Sequence, residues 1–152
     1  MRSTGWTDVV AILVLQGPAS APHRLGIETA CALWRIARAA GQVLSFRASA
    51  SASAFAASLR QGVDARDGFV LVDPADVAAT ADPAELRDAL EALRVPYVEV
   101  HDRSAGVLDL SLRPDAMPLA TIVINGDLAS GYRIALGIAL RRLVPAARLG
   151  RG

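Results

Sequence analysis

Continuously apolar stretches alternate along the chain with stretches whose apolar residues recur every three or four positions. Residues 9–15 (VVAILVL) are apolar throughout, the pattern of a strand buried on both faces of a sheet. Gly17-Pro18 ends it, and a loop through His23 leads to a helix predicted over 27–40. Ile27, Cys31, Trp34 and Ala37 fall at helical spacing and are expected to face the core. Gly41 closes that helix.

A second strand is predicted over 42–47. Residues 51–62 follow as a helix, although serine and alanine alternate over 48–54 and also suit a loop. The third strand, 68–72, is broken by Asp73-Pro74. Asp82 then suits a helix N-cap, Pro83 the first helical position and Glu85 the first turn of a helix to 93. A fourth strand over 95–100, a polar loop over 102–117, a fifth strand over 119–124 and a helix over 127–143 complete the domain, 9–143. Residues 1–8 read as an N-terminal extension. The arginine- and glycine-rich residues 144–152 read as a flexible tail.

Five strands with intervening helices predict an α/β fold: a parallel sheet covered on both faces, with right-handed crossovers. Ligands of such sheets bind at the carboxyl ends of the strands, near the point where strand order reverses. A site is therefore expected from the segments 16–26, 73–80 and 101–113.

The chain has 152 residues, enough for one domain. Its apolar fraction is 53% and its mean hydropathy +0.35, yet no run approaches the ~18 apolar residues of a membrane span. The excess is alanine and leucine spread over helices, which points to close packing or subunit contacts and away from a membrane. The first eight residues lack the order of a secretory signal, so a cytoplasmic protein is expected. The single cysteine, Cys31, excludes an internal disulfide and is expected to be a small buried helix residue. A net charge of +1 argues against a nucleic-acid partner. All 16 basic residues are arginine, which excludes lysine Schiff-base chemistry and lysine-dependent phosphate loops. No residue cluster suggests a metal or a cofactor.

Candidate chemistry gathers at strand ends. Tyr97, Glu99 and His101 alternate onto one strand face. Glu99 and His101 read either as a satisfied structural pair or as an imidazole general acid or base oriented by its carboxylate. Asp73 and Asp76 flank Pro74, and suit a turn, a ligand contact or two carboxyls sharing a proton. His23 reads as a solvated loop histidine, or as a base placed at the site. Asp102 and Arg103 read as an ion pair, solvated or between subunits.

Five features in order resemble the type II 3-dehydroquinate dehydratases: Gln16-Gly17-Pro18 after the opening strand, Phe46-Arg47, Asp73-Pro74 followed by Leu86-Arg87-Asp88-Ala89-Leu90, Pro96-Tyr97-Val98-Glu99-Val100-His101, and Gly131-Tyr132-Arg133-Ile134-Ala135-Leu136. The resemblance spans residues 9–143. It implies a flavodoxin-like three-layer sandwich, assembly as a trimer or dodecamer, and water loss from 3-dehydroquinate through an enolate. In that family a lid tyrosine with a lid arginine removes the proton, an asparagine-held water stabilises the enolate, and the histidine of the Glu-Val-His motif expels the hydroxyl.

Carried over by position, the resemblance makes His101 the general acid and Glu99 its orienting carboxylate. The asparagine after Gly-Pro is Ala19 here, and the lid has no counterpart. The next family asparagine is Asp73, its following glycine is Ala75, and its substrate-binding histidine falls near Ala79. The later arginine falls near Ser111, with Arg113 close by. The site so implied has His101, Glu99 and Asp73 as catalytic residues. Gln16, His23, Ala75, Asp76, Asp102, Arg103 and Arg113 contact a small-molecule ligand.

Losing the base costs typically 10²–10⁴ in rate, and losing the enolate contact a further ~10²–10³. Three functions follow as expectations. The first is a repurposed pocket doing acid–base elimination, isomerisation or cyclisation on another cyclic or keto substrate. The second is an inactive homologue with a binding or assembly role. The third is 3-dehydroquinate dehydratase itself.

Overall fold

A computed structural model of the protein describes residues 11–61, 67–77, 82–103 and 117–151. Residues 1–8, the start of the first strand at 9–10, most of the polar loop and Arg113 lie outside them. Five parallel strands, β1 (Ala11–Gln16), β2 (Val43–Ala48), β3 (Asp67–Asp73), β4 (Tyr97–His101) and β5 (Ala120–Val123), form one sheet in the order β2-β1-β3-β4-β5. This is the flavodoxin-like order, whose switch point lies between β1 and β3.

Helices α1 (Ile27–Ala39) and α4 (Leu128–Arg151) cover one face of the sheet; α2 (Ala52–Gln61) and α3 (Pro83–Glu91) cover the other. The inner strands β1 and β3 carry apolar runs because both of their faces are buried, whereas the edge strands β2 and β5 are partly exposed. On β1, Ile12 and Val14 pack under α1 and α4, while Leu13 and Leu15 pack under α2 and α3. Each buried Leu, Ile or Phe contributes roughly 1.5–3 kcal/mol. Phe55 and Leu59, both buried, therefore fix the serine- and alanine-rich α2 as a helix where its composition alone left a loop open. Asp82 caps α3, its carboxylate accepting from the Ala84 N–H at 3.0 Å.

The surface of α1 departs from expectation. Leu33 and Ala37 are its buried residues, whereas Ile27 is 78% exposed and Trp34 42% exposed, and Cys31 is exposed too. Alanines occupy so much of this helix that the sheet can seat it through Leu33 and Ala37, which turns the Ile27–Cys31–Trp34 stripe outward. The Arg38 guanidinium lies 5.2 Å over the Trp34 ring and covers part of it. Helix α4 continues to Arg151, past the end expected at 143; residues 146–149 are strong helix formers. Among the described residues no helix is long and apolar enough to cross a membrane.

Register brings the strand ends level where they matter. Gln16 pairs with both Ala48 and Asp73, and His101 lies further along β4 than Glu99, the partner of Val72. The loops leaving β1 and β3 are stitched together by Gly17 N–H to the Asp73 carbonyl (2.8 Å) and Asp76 N–H to the Pro18 carbonyl (3.0 Å). Their approach requires glycine at 17, because a Cβ there would stand 2.3 Å from the Pro74 carbonyl oxygen.

Candidate active site

Asp73 ends β3 with its side chain on the α1 and α4 side of the sheet. It is 4% exposed. Tyr132, fully buried on α4, donates its hydroxyl hydrogen to Asp73 at 2.6 Å, and the Gln16 amide approaches the same hydroxyl at 3.5 Å. Burial pushes the Asp73 carboxyl up to about 6; the Tyr132 bond, the nearby His101 and the Ala75 N–H pull it part of the way back. Burial also pushes the Tyr132 and Tyr97 hydroxyls above the ordinary phenol range. Neither tyrosine is therefore available as a phenolate base.

Ala75 holds the turn after Asp73 at φ 53°, a left-handed conformation that glycine adopts without penalty. Its backbone, not its methyl group, serves the site, through the N–H directed at Asp73.

Glu99 and His101 are both buried, and the imidazole Nε2 lies 2.9 Å from a Glu99 carboxylate oxygen. By alternation they share the face of Tyr97, which belongs to the α2 and α3 core, whereas Gln16 and Asp73 share the opposite face with Tyr132. The pair thus approaches Asp73 only at the carboxyl ends of the adjacent strands β3 and β4, where His101 acts on it electrostatically.

The third cluster crosses the strand ends above. His23 closes a short 3-10 turn, Ala21–His23, and its Nδ1 is 2.6 Å from Asp102 Oδ2. Asp102 is held in turn by its carbonyl, which accepts from Gly126 N–H at 2.9 Å. Arg103 pairs with Asp76 and lies 3.9 Å from Asp102; Asp76 also accepts from Ser20 N–H at 3.0 Å. Asp73 and Asp76 therefore have separate partners and do not share a proton. Beside the ion pair with Asp102 read from the sequence, Arg103 also neutralises Asp76 within the chain.

A cavity of about 560 Å³ opens at the switch point. Its walls include Gln16, Gly17, His23, Arg24, Ser49 and Asp73. Arg24 donates to the Ala19 carbonyl at 3.0 Å. Among the described residues no group of His, Cys, Asp and Glu is arranged to hold a metal ion.

The 3-dehydroquinate dehydratase of Chromobacterium violaceum is 34% identical over 144 residues, covering 88% of this chain and 91% of that one. The chain belongs to the type II 3-dehydroquinate dehydratase family. The 3-dehydroquinate dehydratase of Stutzerimonas stutzeri is 39% identical over 88 residues, 57% of this chain and 56% of that one. No family model matches. Two crystal structures share the fold. The type II dehydroquinase of Propionibacterium acnes has a TM-score of 0.63, with 22% identity over 86% of this chain and 96% of that one. A 3-dehydroquinate dehydratase-like protein of Bifidobacterium longum has a TM-score of 0.60, with 20% identity over 89% and 98%.

Within this type II dehydroquinase fold, Gln16, His23 and Asp73 meet at one cavity, Ala75 and Asp76 lie on the stitched loop beside it, and Asp102 and Arg103 reach it through His23 and Asp76. Glu99 and His101 stand behind it. Arg113 is outside the described residues. Two parts of the site have only faint signals in the sequence. Ser49 and Ala50 line the cavity, although the alternating serines and alanines over 48–54 read only as helix or loop; their place after β2, beside β1, was the available clue. Tyr132 reads only as a residue of the last helix, and its hydroxyl contact with Asp73 spans 59 positions of sequence.

Proposed function

We propose that this chain is an acid–base lyase that removes water from a small cyclic hydroxy-ketone of the 3-dehydroquinate class, with Asp73 as the proton-transfer group at the cavity. The observation that carries this reading is the placement of Asp73: a buried carboxyl at the switch point, on the wall of an open cavity, that titrates near 6. A group that titrates close to working pH both holds and yields a proton readily. The Glu99–His101 pair supplies a second proton-holding unit at the strand ends, and Arg24 supplies a cation for an acidic substituent.

The names of the relatives favour 3-dehydroquinate itself as substrate. Ala19, and aspartate in place of the family's asparagine at 73, favour a related compound carrying fewer anionic groups. A cytoplasmic location and self-association as a trimer or dodecamer complete the reading; the exposed Ile27, Trp34 and Ile36 on α1 supply apolar surface for contacts between copies.

The test is incubation of the purified protein with 3-dehydroquinate, following enone absorbance. Turnover in wild type that falls 10²-fold or more in Asp73→Asn, and falls again in His101→Ala, is the expected result. Turnover unaffected by Asp73→Asn refutes the assignment. No turnover with this ketone or its close analogues leaves the binding or assembly role.

A further inference from the structure

An elimination needs two groups, one to take a proton from carbon and one to give a proton to the departing oxygen. The walls of the cavity narrow the choice. Gln16, Gly17, Pro18, Ala19, Leu25, Ala48 and Ala50 accept no proton at working pH, Arg24 stays charged, and the Ser49 hydroxyl is engaged 3.4 Å from that of Ser58. Among the described residues lining the cavity, His23 and Asp73 alone can exchange one. The chain has no lysine.

His23 is built for the first task. Its Nδ1 faces the Asp102 carboxylate at 2.6 Å. A carboxylate only accepts, so Nδ1 carries the hydrogen of this bond, and in the neutral imidazole that tautomer leaves the lone pair on Nε2. Asp102 is itself 13% exposed at its side chain and tied by its backbone to the turn after β5, whereas the imidazole is 27% exposed. A backbone bond from His23 N–H to the Ser20 carbonyl at 2.9 Å fixes the turn that carries the ring, and Ser20 is tied to Asp76. Orienting carboxylate, fixed tautomer and partly open imidazole form the usual plan of a histidine base.

We infer that His23, oriented by Asp102, is the catalytic base that removes the carbon-bound proton, with Asp73 as the acid across the cavity. This rests on the lyase reading above and adds the residue that starts the reaction. The Nε2 lone pair forms an N–H bond as the C–H bond next to the carbonyl breaks, and the released pair moves onto the carbonyl oxygen as an enolate. When the carbonyl re-forms, the bond to the neighbouring hydroxyl breaks and that oxygen takes the Asp73 proton and leaves as water. The proton on His23 then returns to the Asp73 carboxylate through solvent. The net change is loss of one water from the substrate. Asp102 acts as a positioning residue.

The experiment separates proton removal from water loss. The full chain is incubated with 3-dehydroquinate in D₂O, and exchange of the protons next to the ketone is followed by NMR alongside enone absorbance. Wild type is expected to do both. Asp73→Asn is expected to keep exchange and lose water removal. His23→Gln is expected to lose exchange by 10²-fold or more with its thermal midpoint retained, His23→Ala to regain at least tenfold with added imidazole, and Asp102→Asn to slow exchange at least tenfold.

Exchange at the wild-type rate in His23→Gln, or a loss in His23→Ala that imidazole does not restore, overturns the assignment. If wild type neither exchanges nor dehydrates 3-dehydroquinate, the substrate reading fails while the base is judged on 5-nitrobenzisoxazole, whose ring opens in one step on loss of a carbon-bound proton. A rate on that probe that falls in His23→Gln and is rescued by imidazole in His23→Ala upholds the base. A rate equal in wild type and His23→Gln, or none above buffer, overturns it.

Discussion

Replacing Asp73 by asparagine should make the protein more stable at neutral pH and less so, relative to wild type, in acid. Burial raises the carboxyl from 3.8 to about 6. Between those values the folded state holds a proton that the unfolded chain has released, so wild-type stability falls as pH rises through that window. At roughly 1.4 kcal/mol per pH unit, the total is about 3 kcal/mol, fully lost above about pH 7. Asparagine avoids this because it is neutral throughout. It gives up the charge on the bond from Tyr132, worth on the order of 1 kcal/mol, while its amide oxygen still accepts that hydrogen at the 2.6 Å position.

The net expectation is about 2 kcal/mol of stabilisation at pH 8, or roughly 4–8 °C in thermal midpoint for a chain of this size. That advantage should vanish or reverse below pH 4. Urea unfolding of both proteins at pH 4, 6 and 8 measures it. A stability difference independent of pH would show that Asp73 is not the buried, titrating carboxyl described above. A variant that gains stability as it loses turnover would mark Asp73 as a residue kept for chemistry at the expense of folding.

Two further substitutions probe the turn that holds Asp73. Ala75→Gly relieves a left-handed backbone at φ 53° and should stabilise the protein by roughly 1 kcal/mol, seen as a raised urea midpoint; an unchanged or lowered midpoint would show that the conformation carries no strain. Gly17→Ala places a Cβ 2.3 Å from the Pro74 carbonyl oxygen. It should cost roughly 1–3 kcal/mol or more, breaking the 2.8 Å bond from residue 17 N–H to the Asp73 carbonyl, with circular-dichroism melting as the measurement.

The sheet was legible because its signal is physical and local. A strand buried on both faces reads as a near-continuous apolar run, as Ile12–Leu15 of β1 and Phe69–Val72 of β3 do. The cap at Asp82 was legible for the same reason: carboxylate and orphan N–H groups lie two residues apart. The face of α1 was not, because an alanine-rich helix offers the sheet more than one seat, and only the packing of Leu33 and Ala37 chooses between them. In the site, strand ends and titratable residues were visible, so Asp73, His23 and Gln16 could be named. Their partners could not, because the bonds from Tyr132 to Asp73 and from His23 to Asp102 join positions far apart in sequence. The alternation that unites Glu99 with His101 was read correctly, but one strand cannot reveal that its neighbour's carboxylate faces the other way.

The outward turn of Cys31 has a practical consequence. The chain owns one thiol, and it sits on the solvent side of a helix beside an exposed tryptophan and two exposed isoleucines. Air oxidation can therefore couple two molecules into a covalent pair that imitates a native assembly. Any weighing of the particle in solution belongs in reducing buffer or on Cys31→Ser. The same thiol gives a single attachment point for a fluorophore on the helix that leads out of the His23 loop.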